Sequence, residues 1–476
     1  MENRDSQQIK RRNQMIDISA KDFANAVKGT LNQISESEIL NQVPVLDSRK
    51  VKPGTYFVAI VGEKVDGHKF AESAIAGGAK FVLATKPVSV PHILVSDVAA
   101  ALLDLTAFVR TKLSNCKVIG ITGSNGKTTT KELLYGILSQ VGETVATEGN
   151  LNTDYGVPHT FLRCTANTKY CVIEMGARHL GDISRLSKAV QPDVGVVLLV
   201  GTAHLGEFGS RENIAKAKSE LISGISKTGT AVLGTYDEFT PKMADGLGIN
   251  VLKFGPHGEI RATDVELRGG YPKFELVTPT NREVVELPLV GAHQINNALA
   301  AAAATYALGI APEIIANGLS NLEVKNQNRM FIKEFGSILV IDDSYNASPD
   351  AMQAALDTLN LLAQERGGAS WAFVGKMAEL GSLEQSAHLD IRNYAQSLRI
   401  DHFVSAKTDL YLQDLKSEKL TSDNSDLMEC HLAKDLPAVL ELVKHLQPAD
   451  VVLVKASRSE QFEEIVQLID QEWGAK

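Results

Sequence analysis

The sequence predicts an α/β protein of three domains, and three observations carry that expectation. Short apolar runs alternate with helical patterns along nearly the whole chain, as in proteins built on largely parallel sheets. The 476 residues exceed one ordinary domain, and about 100–200 residues per domain gives about three. One strand, "KVIGITG", runs through a glycine-rich turn straight into a helix, the usual start of a nucleotide-binding unit.

Taken in order, residues 1–113 form the smallest α/β block. "GTYFVAI" and "KFVLAT" read as strands and "AALLDLTAFVRTKL" as a closing helix. Residues 114–322 form a central, P-loop-type, mostly parallel sheet with strands at "KVIGITG", "KYCVIEMG", "DVGVVLLVG" and "GTAVLGT". Its later part, "ATDVELRGGYPKFELVTP", alternates with period two around Gly269 and Gly270, as an antiparallel hairpin does. The helix "HQINNALAAAAATYALGI" then closes the block. Residues 323–476 carry four strands, "SILVIDDS", "SWAFVGK", "DHFVSA" and "DVVLVKAS", separated by helices, which predicts a doubly wound, Rossmann-like sheet.

Composition narrows the function classes. A formal net charge of -9 argues against a general nucleic-acid binder. The polar start "MENRDSQQIKRRNQMIDISA" lacks the apolar stretch of a signal peptide, and Met15 offers an alternative start that would make residues 1–14 a tail. "ALAAAAATYALGIA" falls short of the roughly 20 apolar residues that span a bilayer. Cys116, Cys164, Cys171 and Cys430 fall in no C-x-x-C spacing, so they read as buried thiols of a reducing compartment. Together these features predict a cytoplasmic protein with no membrane insertion and no nucleic-acid partner.

The turn itself, "GITGSNGKTTTKE", departs from the common phosphate-loop spacing, because Ile121 stands where its first glycine would fall. Gly123, Ser124, Asn125, Gly126, Lys127, Thr128 and Thr129 nonetheless place consecutive backbone N–H groups and a helix N-terminus around a polyphosphate. Lys127 would neutralise the terminal phosphates and Thr128 would ligate Mg²⁺. That ion needs further ligands. Glu174 ends the strand "YCVIE" and His204 is expected to end the next one, in "VLLVGTAHLGEFGS". Asp342 and Asp343 after "SILVI" imitate the same carboxylate, so two strands compete for the metal.

The motifs "GITGSNGKTTTKE", "EGNLNTDYGVP", "VIEMGARHLGDI", "VGTAHLGEFGSRENIAKAKSEL", "PLVGAHQINNALAA", "NRM", "IDDSYNASPDAM", "VGKMAELG" and "LVKASR" occur in that order, and the chain resembles the Mur ligases from about residue 47 to 460. The N-terminal "DSRKVKPGTYFVAIVGEKVDGHKF" belongs to the same likeness. The resemblance implies ATP-dependent ligation of D-alanyl-D-alanine to UDP-N-acetylmuramoyl-tripeptide through an acyl phosphate, in cytoplasmic peptidoglycan precursor synthesis, by a monomer that uses ATP and two Mg²⁺ ions. The chemistry is coherent, since a carboxylate is a poor electrophile and its acyl phosphate is a good one, and the attacking amine must be neutral.

The resemblance also implies roles. Lys127 and Thr128 fall on the phosphate-loop pair, and Glu174 and His204 on the metal-binding acid and histidine. Lys218 falls on a lysine that is carbamylated in related ligases, where the carbamate helps position the second Mg²⁺. Asn297 would lie beside adenine, and Arg329 would reach from a domain junction toward the γ-phosphate. Asp343, Tyr345 and Asn346 would contact nucleotide and incoming dipeptide, which favours Glu174 over the Asp342–Asp343 pair as the metal ligand. Lys455, Ser457 and Arg458 would end the last strand at the same junction. Asn150 and Asn152 would lie beside the substrate, and Ser48, Arg49, Asp66, Gly67 and His68 would hold its UDP end.

Five positions depart from the family pattern: Thr153, Asp154, Gln294, Lys376 and Ala456. None removes a phosphate or metal ligand, so they bear on substrate preference and not on reaction class. A ligase adding the third residue, a folylpolyglutamate synthase, a switch-type NTPase and an inactive binding module are the competing readings. The third residue of the tripeptide, diaminopimelate or lysine, stays open.

Overall fold

The computed structural model describes residues 14–323, 328–415 and 428–474. The polar start through residue 13 lies outside the described residues, whereas Met15 is part of the first strand and is buried.

In the N-terminal domain, β1 (Gln14–Ser19), β2 (Thr30–Asn32), β3 (Ile39–Val45), β4 (Thr55–Val58), β5 (Val82–Ala84) and β6 (His92–Leu94) form one sheet in the order β1-β3-β4-β5-β6-β2. The inner strands are parallel and both edges antiparallel. The helix Val98–Lys112 starts where the Asp97 carboxylate accepts the Ala100 N–H, a side-chain cap for an otherwise unpaired donor. Its buried stripe, Ala101, Leu102, Leu105 and Val109, recurs at helical spacing. That stripe joins Val118, Ile173 and Val197 of the next sheet in one hydrophobic core, so the first two domains share packing.

The central sheet contains β7 (Lys117–Thr122), β8 (Thr144–Ala146), β9 (Tyr170–Glu174), β10 (Val194–Val197), β11 (Thr230–Gly234) and β12 (Asn250–Phe254), all parallel, in the order β12-β11-β10-β7-β9-β8. β7 lies between β9 and β10, so the connections diverge there and leave a crevice beyond the strand C-termini. β13 (Arg261–Arg268), β14 (Tyr271–Val277) and β15 (Arg282–Glu286) form an antiparallel meander. The expected hairpin turn is present: Gly269 and Gly270 have φ of +58° and +76°, the left-handed pair that a two-residue turn between Arg268 and Tyr271 requires. The helix Gln294–Ala307 buries Ala300, Ala301, Ala302, Ala303 and Ala304, whose small side chains admit close packing in the core shared with the helix Lys127–Leu138.

The C-terminal sheet orders β16 (Phe331–Phe335), β17 (Ile338–Asp343), β18 (Ser370–Val374), β19 (His402–Ala406), β20 (Glu429–Ala433) and β21 (Val451–Lys455) as β16-β17-β21-β18-β19-β20. Only β16 is antiparallel. Helices Pro349–Arg366 and Glu384–Ser397 cover one face, and Leu436–Val443 and Glu463–Trp473 the other, which makes the sheet doubly wound. The three-domain α/β expectation therefore stands. In the two larger domains β8, β12, β15, β16 and β20 were not anticipated. All five are edge strands, and β8 is only three residues long while each of the other four carries a charged residue, so none has the long apolar run that reveals a central strand.

Among the described residues no helix is long and apolar enough to cross a membrane. The four cysteines are free and buried, as their spacing implied.

Candidate active site

Residues 123–129 wrap the C-terminal end of β7. Gly126 caps the helix Lys127–Leu138 with φ of +83°, and a Cβ there would lie 2.1 Å from Asn297 Oδ1, so only glycine fits. The loop is fastened to the segment after β10: Ser124 N donates to the Leu199 carbonyl (3.0 Å), and Gly201 N donates to Ser124 Oγ (2.9 Å). Lys127 folds back so that Nζ donates to the carbonyls of Gly123 (2.8 Å) and Ser124 (3.3 Å). Burial pushes its amine below lysine's usual range; Glu174 opposes that shift and Arg329 adds to it.

Glu174, at the end of β9, is buried with both oxygens engaged. Thr128 Oγ1 donates to Oε2 (3.0 Å) and Asn152 Nδ2 to Oε1 (2.9 Å). Two hard oxygens from neighbouring elements, at the mouth of a phosphate loop, suit Mg²⁺. Of the two competing carboxylate strands, this is the one that touches Thr128. Asp342 is instead paired with Lys333 (2.8 Å), and Asp343 with Lys455 (2.6 Å).

His204 does not end a strand. β10 stops at Val197, and His204 lies in a left-handed conformation (φ +63°) before the one-turn helix Leu205–Phe208. The strand stops because the chain turns toward the third domain: Gly206 N donates to the Glu379 carbonyl (3.1 Å). His204 Nδ1 is 2.5 Å from a Glu379 oxygen, an ion-pair contact outside hydrogen-bonding geometry. Burial, with Lys127 nearby, lowers its pKa against the pull of Glu379.

Lys218, in the helix Arg211–Ser223, is only 5% exposed and has no hydrogen bond or ion pair among the described residues. Burial, reinforced by Lys127, holds its amine well below the usual range, which favours the neutral, nucleophilic form.

The third domain supplies the opposite wall. Asp343 ends β17 and Lys455 ends β21, adjacent parallel strands. Asp343 also accepts the Met330 N–H (3.2 Å), and Lys455 Nζ donates to the Asn346 carbonyl (2.7 Å). The Arg329 guanidinium stacks 3.9 Å above the Tyr345 ring. Asn297 Nδ2 donates to Gln294 Oε1 (2.8 Å), so that departure from the family pattern is built into the floor. Together these groups line one cleft of about 870 Å³ that includes Asn150 and Asn152.

Two of the expected junction residues fall elsewhere. β21 ends at Lys455; Ser457 Oγ accepts the Ala378 N–H (2.8 Å), and Arg458 turns outward to Glu463 (2.7 Å). Neither lines the cleft, because the chain enters a short 3-10 turn, Arg458–Glu460, immediately after the strand. Ser48, Arg49, Asp66, Gly67 and His68 also lie off the cleft, on the N-terminal domain. Arg49 is exposed and grips Asp47 through two bonds of 2.9 and 2.7 Å. His68 Nε2 accepts the Thr85 N–H (3.0 Å), which fixes the proton on Nδ1, directed at Asp66 (2.6 Å).

Sequence reasoning missed Asp350, Glu379, Arg178 and His179. Asp350 Oδ2 accepts Thr202 N (3.1 Å) and Thr202 Oγ1 (3.2 Å), and Ser348 Oγ donates to Asn125 Oδ1 (3.1 Å), so the third domain bonds directly to the phosphate loop and its neighbour. Arg178 and His179 line the cleft just past Glu174, where the strand end alone was a signal. Two further departures are locally compensated: Lys376 pairs with Glu384 (2.8 Å), and Asp154 with Arg185 (2.8 Å).

Comparison with known proteins is consistent along the chain. Residues 45–119 match the Mur ligase family catalytic domain, 121–305 the Mur ligase middle domain, and 328–458 the Mur ligase glutamate ligase domain. The UDP-N-acetylmuramoyl-tripeptide--D-alanyl-D-alanine ligase of Escherichia coli is 35% identical, over 96% of this chain and 99% of that protein. A crystal structure of MurF from Acinetobacter baumannii superposes with a TM-score of 0.87 at 32% identity, over 96% of this chain and 99% of that one. MurF from Thermotoga maritima, in complex with ADP, gives a TM-score of 0.76 at 31% identity, over 90% and 97%.

Proposed function

The chain belongs to the Mur ligase family, and we infer from that membership that it joins D-alanyl-D-alanine to UDP-N-acetylmuramoyl-tripeptide, converting ATP to ADP and phosphate. It is thus an ATP-dependent peptide ligase of peptidoglycan precursor synthesis. One observation carries the mechanism: the phosphate loop, the Thr128–Glu174 pair and the β17–β21 strand ends of a second sheet line the same cleft.

In this reading the loop N–H groups and Lys127 hold the β- and γ-phosphates of ATP. Thr128, Glu174 and His204 would hold one Mg²⁺, and Lys218, as its carbamate, would help hold a second; bound there, the ions supply charge neutralisation on the transferring phosphoryl group. The buried, unpaired Lys218 amine supports the carbamate, because a neutral amine is the form that adds CO₂ and a bare ammonium would repel a cation. Arg329 faces the same phosphates from the domain junction, and Asn297 flanks adenine. The tripeptide carboxylate attacks the γ-phosphate, and Asn150 and Asn152 position it. Asp343 contacts the nucleotide, and Tyr345, Asn346 and Lys455 hold the dipeptide, whose neutral amine displaces phosphate from the acyl phosphate. Domain contact excludes water from that intermediate.

Ser48, Arg49, Asp66, Gly67 and His68 would take the UDP end on the N-terminal domain (residues 1–113), with residues 114–322 binding ATP and 323–476 the amine. The enzyme would act as a monomer, in the cytoplasm where its soluble UDP-linked substrate is found. The diagnostic assay is phosphate release with Mg²⁺·ATP and the UDP-tripeptide, in its lysine and diaminopimelate forms, with and without D-alanyl-D-alanine, with product mass as readout. Release that needs both substrates and yields the pentapeptide supports the reading. Release with neither, and no new amide, points to a stand-alone NTPase.

A further inference from the structure

Away from the cleft, one group of side chains on the C-terminal sheet has the composition and spacing of a metal shell. His402 opens β19; Glu429 and His431 lie on β20, the neighbouring parallel edge strand. His402 pairs with Glu429 in register, and His431 lies two residues further on, so all three side chains leave the same face of the sheet. His402 Nδ1 is 3.1 Å from Glu429 Oε2 and 3.4 Å from His431 Nε2, and His431 Nε2 is 3.7 Å from the same Glu429 oxygen. Two ligands at about 2.0–2.1 Å from a tetrahedral ion lie about 3.3–3.4 Å apart, so this triangle has the size of one face of such a shell.

We propose that His402, Glu429 and His431 form a structural site for a divalent transition-metal ion of zinc-like preference, with the fourth position open to water. Two imidazoles and a carboxylate are the donor set that zinc takes when one position stays open. The protein alone uses these atoms poorly, because 3.4 Å between two ring nitrogens is long for a hydrogen bond. The first ligand is preset: the His402 ring stacks on Trp371 at 3.7 Å between centroids, and Trp371 Nε1 is anchored to Asp450 (3.0 Å). Glu429 is 54% exposed, which leaves an entry path.

The site lies toward the N-terminal ends of β19 and β20, whereas the cleft lies at the C-terminal ends of β17 and β21. An ion here therefore takes no part in phosphoryl transfer. It pins the edge strand β20 to β19, an edge that otherwise has only its backbone ladder and local packing.

The test uses the tag-free full chain with saturating Mg²⁺·ADP, so that the cleft's cation positions are filled. Titration with Co²⁺ should give visible absorption of a tetrahedral ion at one equivalent, and Zn²⁺ should displace it and raise the melting temperature. Glu429→Gln and His431→Gln should each weaken this binding at least tenfold and remove the Zn²⁺-dependent rise, with phosphate release in Mg²⁺ unchanged. Glu174→Gln should keep the site. Equal Co²⁺ binding by wild type and both variants, or no Co²⁺ bound by the wild type under these conditions, overturns the proposal. Because Glu429 is exposed, its variant carries the test should His431→Gln fail to fold.

Discussion

Thr128 Oγ1 donates a 3.0 Å hydrogen bond to Glu174 Oε2, joining the first turn of the phosphate-loop helix to the end of a neighbouring strand. The same two oxygens are the proposed Mg²⁺ ligands, so the bond holds them in place for the ion. Glu174→Gln keeps the shape and removes the charge. It should lower kcat at least roughly a hundredfold, with a higher Mg²⁺ requirement and little change in melting temperature. Thr128→Ala, which leaves the carboxylate, should cost about ten- to a hundredfold. Mg²⁺ titrations of phosphate release check both, and a Glu174→Gln enzyme with an unaltered Mg²⁺ profile would remove Glu174 from the metal site.

Asp350 makes the corresponding link between domains. Its carboxylate accepts two bonds from Thr202, and a Cβ on Gly201 would approach it to 2.3 Å. Asp350→Ala should loosen the third domain from the central one, removing both Thr202 bonds and a long one (3.5 Å) from Asn125 Nδ2 of the phosphate loop, while the loop's bonds to the segment after β10 remain. Gly201→Ala should do the same from the other side, by displacing the carboxylate. We expect each to lower kcat/KM by about tenfold, to leave ADP affinity within about twofold, and to enlarge the radius of gyration in X-ray scattering. Reduced ADP affinity at an unchanged radius would instead assign these residues to nucleotide binding.

What was legible in the sequence follows from what is local. The loop around Gly123 and Gly126 and the carboxylate of Glu174 were legible because a strand, a turn and a helix lie in consecutive residues, and parallel strands expose their C-terminal ends. Asp350 and Glu379 were not, because they meet Thr202 and His204 across a domain junction and no periodicity encodes that pairing. His204 was placed at a strand end because "VLLVG" is uniformly apolar, although the ladder stops at Val197. Arg458 has the charge expected of a junction residue but finds Glu463 on its own helix entry.

Lys218 combines deep burial with the absence of any partner among the described residues, an arrangement that costs stability and is expected where the amine serves the reaction. Its pKa is depressed, so the unfolded chain binds a proton that the native one does not, and native stability should rise with pH up to about 10.4. In bicarbonate-free, Mg²⁺-free buffer, Lys218→Met should reduce that slope, leaving the share of Lys127, whose amine burial also depresses, and raise unfolding free energy by about 1–3 kcal/mol, while turnover is lost. Wild type supplied with ¹³C-bicarbonate should show a carbamate carbon signal that the variant lacks. A variant that turns over normally would dispose of both the carbamate and the second-ion role.

His293, at the start of the helix Gln294–Ala307 and in the cleft wall, gives a stability signature in acid. Burial, aided by Lys455 and opposed by Asp343, pushes its pKa down to about 4. Between pH 6.5 and 4 the unfolded chain takes up a proton that the native imidazole does not, so native stability falls across that window. Above it neither state binds the proton and the residue contributes no slope. The shift corresponds to roughly 3 kcal/mol lost by pH 4. Urea unfolding at pH 7 and pH 4.5 should therefore show a smaller decline for His293→Gln than for wild type. His159, also part-buried and held at about 4, supplies a second such increment that the His293 variant retains. Equal declines in the two proteins would mean that His293 is protonated in the native cleft, with Asp343 outweighing burial.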